Sequence, residues 1–200
     1  MYKFIYKKHY YRQPTHEFNL PAWHSCPFAK GCKIKTDRDT WKMDIIWKEY
    51  RCYAAVAERF PWVRQSRWHN FELLKTWEKI EIPKNCTHMR IHASGDFYSQ
   101  DYFDLWLDIC RENPNIKFWA FTKSLKFWIN RIDSIPSNLT MQASYWWHLD
   151  DLIEKHNLKY AKVFKNRDEA EKSWLPIDCD DTLAMEWEQS FALVDNFSKK

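Results

Sequence analysis

At 200 residues, with 45% apolar and 29% charged side chains, the chain is long enough for one domain with its own core and too apolar to stay disordered. Its net charge of +4 is distributed among residues of both signs, weaker than a dedicated nucleic-acid binder carries, and no apolar run reaches the length of a membrane span. The opening Met1-Tyr-Lys-Phe-Ile lacks the apolar stretch of a signal peptide, so a cytoplasmic location is expected; in that reducing compartment the cysteines turn toward metal binding or simple burial and away from disulfides.

In chain order, Tyr2 to Tyr6 is aromatic and β-branched and reads as a strand. The basic residues Lys3, Lys7, Lys8 and Arg12 read as a solvated edge in preference to a phosphate contact. Residues 13 to 37 carry Pro14, Pro21, Pro27 and Gly31 and read as irregular, part of a cysteine-bearing segment of about 13–60. A helix is expected from Asp39 or Thr40, with Trp41, Ile45, Cys52, Tyr53, Val56 and Phe60 on its apolar face and Pro61 at its end. A second helix is expected from Trp68 to Ile80.

Strands and helices then alternate. Strands are expected at Met89–Ala93, Ile116–Phe121, Leu139–Ala143, Tyr160–Phe164 and Phe191–Val194, and helices at Gln100–Glu112, Leu125–Ile132, His148–His156 and Asp168–Ser173. The near-continuous apolar run at Ile116 to Phe121 is that of a strand covered on both faces. The alternation predicts a single α/β domain over 1–200, a mostly parallel sheet with flanking helices, and it allows an incomplete (β/α) barrel. Ligands in such sheets gather at the carboxyl ends of the strands. Ser94-Gly95-Asp96, Thr122-Lys123-Ser124 and Ser144 fall there.

Two constellations carry chemistry. Cys26-Pro-Phe-Ala-Lys-Gly-Cys32 places two thiols in a loop with free backbone amides, with Cys52 downstream; the spacing is no zinc-finger pattern, and a buried inert thiol competes as a reading of Cys52. Arg90-Ile-His-Ala-Ser-Gly-Asp96 combines one of the chain's two glycines with a hydroxyl and a carboxylate after a strand. His92 reads as a core or supporting histidine, Cys110 as core, and Lys123 as either an anion contact or a solvated lysine. Cys179, in an acidic loop, is a free thiol or a fourth ligand. If the metal is zinc, His24 or His92 is available to complete its site.

These residues resemble the phage gene-product-88 family. The likeness rests on Arg90-Ile-His-Ala-Ser-Gly-Asp-Phe-Tyr-Ser-Gln-Asp-Tyr-Phe-Asp-Leu-Trp106, on Phe118-Trp-Ala-Phe-Thr-Lys-Ser124, and on Cys26 to Cys32 with Cys52-Tyr-Ala-Ala55. The surroundings of Asn70 and the tail from Asp178 to Val194 are also similar. One departure stands out: the family's third cysteine follows the second within a few residues, whereas here Lys33 to Arg51 intervene. The resemblance implies a phage protein of ill-defined duty that holds a metal through Cys26, Cys32, Cys52 and Cys179. An iron–sulfur cluster, [4Fe–4S] by preference, is expected, with zinc as the alternative. A more distant likeness to the partial barrel of radical S-adenosylmethionine enzymes implies a cofactor edge at Ser94, Gly95, Asp96 and Lys123, and an enzyme as a second reading. A host protein or nucleic acid is a third, because exposed Trp anchors partners and aromatics interleaved with Lys and Arg stack on bases.

Overall fold

The computed structural model describes residues 1–29, 34–37, 39–40, 42–45, 52–145, 148–186 and 189–195; of the side chains of 34–36 and 43–45 nothing is said. Two strands, β1 (Phe4–Lys7) and β2 (Thr15–Phe18), open the chain, followed by a small hairpin of β3 (Ile34–Thr36) and β4 (Met43–Ile45). Helices α1 (Tyr53–Ala57) and α2 (Pro61–Lys75) lead to β5 (His88–Ile91), α3 (Gln100–Glu112) and β6 (Lys117–Thr122). Then come α4 (Leu125–Ile129), a 3-10 turn (Ile132–Ser134), β7 (Leu139–Ser144), α5 (Asp150–Lys155), β8 (Tyr160–Phe164), α6 (Arg167–Lys172), α7 (Thr182–Glu186) and β9 (Phe191–Val194).

Seven strands form one sheet in the order β1-β2-β5-β6-β7-β8-β9, antiparallel only between β1 and β2. The parallel strands follow one another in chain order without reversal. Helices α2, α3, α4 and α5 pack on one face and α7 on the other; the unreversed strand order is like that of an incomplete (β/α) barrel, whereas a doubly wound sheet reverses at a switch point.

β6 shows why both faces are dry. Phe118 and Ala120 enter the helix-side core with Met89, Ile91, Met141 and, from α3, Phe103, Trp106 and Cys110. Trp119 and Phe121 point the other way, where Tyr11, Phe191 and Met185 of α7 cover them. α3 forms where expected because Tyr102, Phe103, Trp106, Ile109 and Cys110 recur at helical spacing. The Ser99 hydroxyl caps it by accepting from the Tyr102 amide at 3.2 Å.

Three expectations fail for identifiable reasons. The helix expected from Asp39 or Thr40 is the β3–β4 hairpin. The Asp37 carboxylate accepts from the amides of Asp39 and Thr40 and from the Thr40 hydroxyl, which fixes a turn where a helix cap was read. Helix begins only at Tyr53, and Trp41 lies outside the described residues. Pro61 opens α2 as its first residue, the helical position where a missing amide proton costs nothing. Inside the segment read as irregular, Thr15-His16-Glu17-Phe18 is a fully buried strand. Its three polar residues hide it from any apolar pattern.

Candidate functional site

β2 is what brings the cysteine loop to the site. As the first of the parallel strands, it delivers Leu20 to Ala29 to the carboxyl edge of the sheet, beside the loop that follows β5. The two loops are sewn together: the Leu20 amide donates to the Ser94 carbonyl at 3.0 Å, the Ser94 hydroxyl to the Leu20 carbonyl at 2.9 Å, and the Ser94 amide to the Asn19 side chain at 2.9 Å. Asn70, fully buried on α2, ties the same junction to the start of the chain through Lys3 and Asn19. Gly95 sits in the seam at φ 87°. A Cβ there would lie 2.6 Å from the Ser25 hydroxyl and 2.7 Å from the Leu20 side chain.

Asp96 is the polar centre of this edge. It accepts from the Thr122 hydroxyl at 2.6 Å, the Lys123 amide at 2.8 Å and its neighbour Phe97's amide at 2.8 Å. Burial nonetheless dominates and pushes its carboxyl up to about 6. Lys123 does not point to water: its ammonium donates to the Ser144 hydroxyl at 2.7 Å and carbonyl at 3.1 Å, bridging the ends of β6 and β7. The Ser124 hydroxyl caps nothing and donates instead to the Phe97 carbonyl. Ser94, Gly95, Asp96 and Lys123 are therefore brought together in one hydrogen-bonded edge, with Asp96 joining the end of β6 to the β5 loop.

The thiols divide. Cys26 is half-buried, its sulfur deep enough that burial pushes the thiol up, and the charges of Asp96 and Cys52 raise it further. Cys52 immediately precedes α1, where Tyr53 donates to the Ala93 carbonyl at 2.6 Å. The Cys26 thiol thus feels the charge of both Asp96 and Cys52, although Cys52 lies beyond the hairpin. Cys32 lies outside the described residues. Cys179 is exposed on the loop whose Asp181 reaches Arg90. Cys110 is core, as expected, and Cys86 is buried. His92 is also core: only 3% exposed, it shares a hydrogen bond of 2.8 Å with the Tyr102 hydroxyl, packs edge-on against Phe97, and is pushed down to about 3 by burial. His24 packs its ring edge against Trp68. Among the described residues no three His, Cys, Asp or Glu side chains gather as a metal group.

Residues outside the motifs hold this arrangement. Glu58, fully buried after α1, accepts from the Ala22 amide at 2.8 Å and from Arg67 of α2 at 3.2 Å, and Arg67 donates to the Ala54 carbonyl at 2.6 Å. That ion pair clamps the Cys26 loop to the helix that begins after Cys52. On the face opposite the crossover helices, Arg90 pairs with Asp181 at 2.9 Å and donates to the Tyr11 hydroxyl at 3.1 Å, while that hydroxyl donates to Glu17 at 2.6 Å. Asp181 also accepts from the Trp119 indole at 3.1 Å. Arg90, Trp119 and Asp181 fall in the stretches that carry the family likeness, whereas Tyr11 and Glu17 do not. The partners are scattered in sequence, and nothing short of the fold pairs them.

The profile of a family described as Gene product 88 matches residues 3–199. The Gene 88 protein of Mycobacterium phage L5 is 32% identical over 90 residues, 36% of this chain and 38% of that protein. The Gene 88 protein of Mycobacterium phage D29 is 29% identical over the same proportions. The similarity thus spans little more than a third of these curated relatives. No solved structure matches the chain. Nothing in these comparisons supports the likeness to radical S-adenosylmethionine enzymes. Among the described residues no helix is long and apolar enough to cross a membrane.

Proposed function

The chain belongs to the phage Gene product 88 family, and from that premise we propose that its cysteines hold a metal centre, an iron–sulfur cluster with [4Fe–4S] preferred, at the carboxyl edge of the sheet. The observation that carries this reading is the anchoring of the helix that follows Cys52 to the Cys26 loop and to the β5 loop, through Glu58 accepting from the Ala22 amide and Tyr53 donating to the Ala93 carbonyl. The donor chemistry fits. Burial makes a bare thiolate at Cys26 costly, and a bound cation supplies the charge that stabilises it. Cys26 and Cys52 would be two ligands; Cys32, close to Cys26 in sequence, would be the third, and Cys179 the fourth. Zinc is the alternative, since thiolate sites accept either. Such a centre, when bound, supplies electron storage or a structural cross-link. Ser94, Gly95, Asp96 and Lys123 form the polar edge beside it, and the protein works in the host cytoplasm.

The test is anaerobic reconstitution followed by iron, sulfide and zinc analysis of the wild type and of Cys26→Ser, Cys52→Ser and Cys179→Ser. One centre per chain is expected, lost in the first two variants; its retention in the third would mean three protein ligands. A colourless, metal-free wild type would end the reading. A macromolecular partner is a second reading, favoured by the exposed stack of Trp62 on Phe60, rings 5.2 Å apart, with Arg59 over the Phe60 ring at 4.8 Å. That surface fits a host protein or the bases of a nucleic acid.

A further inference from the structure

The opposite end of the sheet carries a cleft that the cysteine chemistry does not use. It is an open cleft of about 370 Å³ at the amino ends of β5 and β6, between the β1–β2 loop and α7, a volume in the range of small-molecule sites. His88 and Lys117 form its floor. They are register partners on adjacent parallel strands, so their side chains leave the same face of the sheet side by side. Arg12 closes one wall and Thr182 and Glu186 the other.

The charge balance is one-sided. Neither Arg12 nor Lys117 has an acidic partner among the described residues, and Glu186 is the one carboxylate in the lining. The Thr182 hydroxyl is buried in the wall without a hydrogen-bond partner. Asp181, the nearest acid of the preceding loop, is already engaged by Arg90 and Trp119. Two cations without an acidic partner among the described residues, and a histidine, around a small-molecule volume select an anion with several acceptor oxygens.

We propose that this cleft binds the phosphate group of a small phosphorylated molecule, with Arg12 and Lys117 as its cationic contacts and His88 as a third donor when protonated. Burial, followed by the Lys117 charge, holds His88 below the usual histidine range. An anion seated between them offsets that repulsion and raises it again, so anion affinity increases as pH falls through the titration of His88. Glu186 opposes binding.

Isothermal titration of the full chain with inorganic phosphate and with a nucleoside monophosphate at neutral pH tests this. Saturable binding is expected, weakened about tenfold by Lys117→Ala and strengthened by Glu186→Gln, in line with the loss or gain of a charge-assisted contact. Tighter binding of the monophosphate than of inorganic phosphate would assign the cleft to a phosphate ester; equal binding would assign it to the free anion. Sulfate, whose charge is constant across the range, serves as the pH probe, and its affinity should be greater at acid pH in the wild type and lose that dependence in His88→Gln. No binding of either phosphate probe at millimolar concentration, or binding untouched by both Lys117→Ala and Arg12→Gln, would overturn the proposal. Cys26→Ser should leave phosphate binding unchanged, so a failed metal site does not decide this one.

Discussion

Arg67→Ala is expected to destabilise the protein by about 3–5 kcal/mol, the loss that follows when one member of a buried ion pair is removed and the other is stranded. Glu58 would be left as a fully buried carboxylate whose pKa burial already raises, opposed mainly by Arg67. The Ala54 carbonyl would lose its donor as well. Glu58→Gln keeps an acceptor for the Ala22 amide and should cost less, about 1–2 kcal/mol. Urea unfolding at neutral pH measures both. Because this pair clamps the Cys26 loop to α1, Arg67→Ala should also weaken metal retention in protein that is still folded. A loss below about 1 kcal/mol would mean that the pair is not the clamp.

Gly95→Ala is the second large effect. The new methyl must occupy a left-handed backbone position, which costs about 1–2 kcal/mol. It also overlaps the Ser25 hydroxyl and the Leu20 Cβ, which adds about 1–3 kcal/mol of overpacking. Ser25 rotates away more easily than Leu20, whose backbone is bonded to Ser94, so relief must come from the Cys26 loop. Unfolding experiments should show a loss of about 2–5 kcal/mol. The folded fraction should bind metal more weakly. Wild-type stability with intact metal binding would show that the two loops do not meet at Gly95.

The parallel sheet was legible because its central strands are apolar on both faces and the helix Gln100–Glu112 repeats apolar residues at helical spacing. The edge formed by Ser94, Gly95, Asp96 and Lys123 was legible for a related reason: short polar motifs follow each strand, and scarce glycine marks a required backbone shape. What escaped was set by contacts that no apolar pattern encodes. Thr15 to Phe18 reads as loop because Glu17 finds Tyr11 and Asn19, and the strand finds β5, only on folding. The segment after Asp37 looked helical because apolar residues recur at roughly helical spacing, whereas the local hydrogen bonds of one aspartate decided for a hairpin. Glu58 and Arg67, the clamp of the cysteine loop, sit among unremarkable charged residues, and no local pattern distinguishes a buried ion pair from a solvated one.

Cobalt titration of the reduced protein tests the proposed thiolate site most directly, because thiolate-to-cobalt charge-transfer absorption reports sulfur ligation itself. One equivalent of cobalt should give that absorption in the wild type, and Cys26→Ser and Cys52→Ser should each diminish it. Cobalt absorption without a thiolate band, or a band unchanged by Cys52→Ser, would contradict the convergence of the two cysteines on one metal.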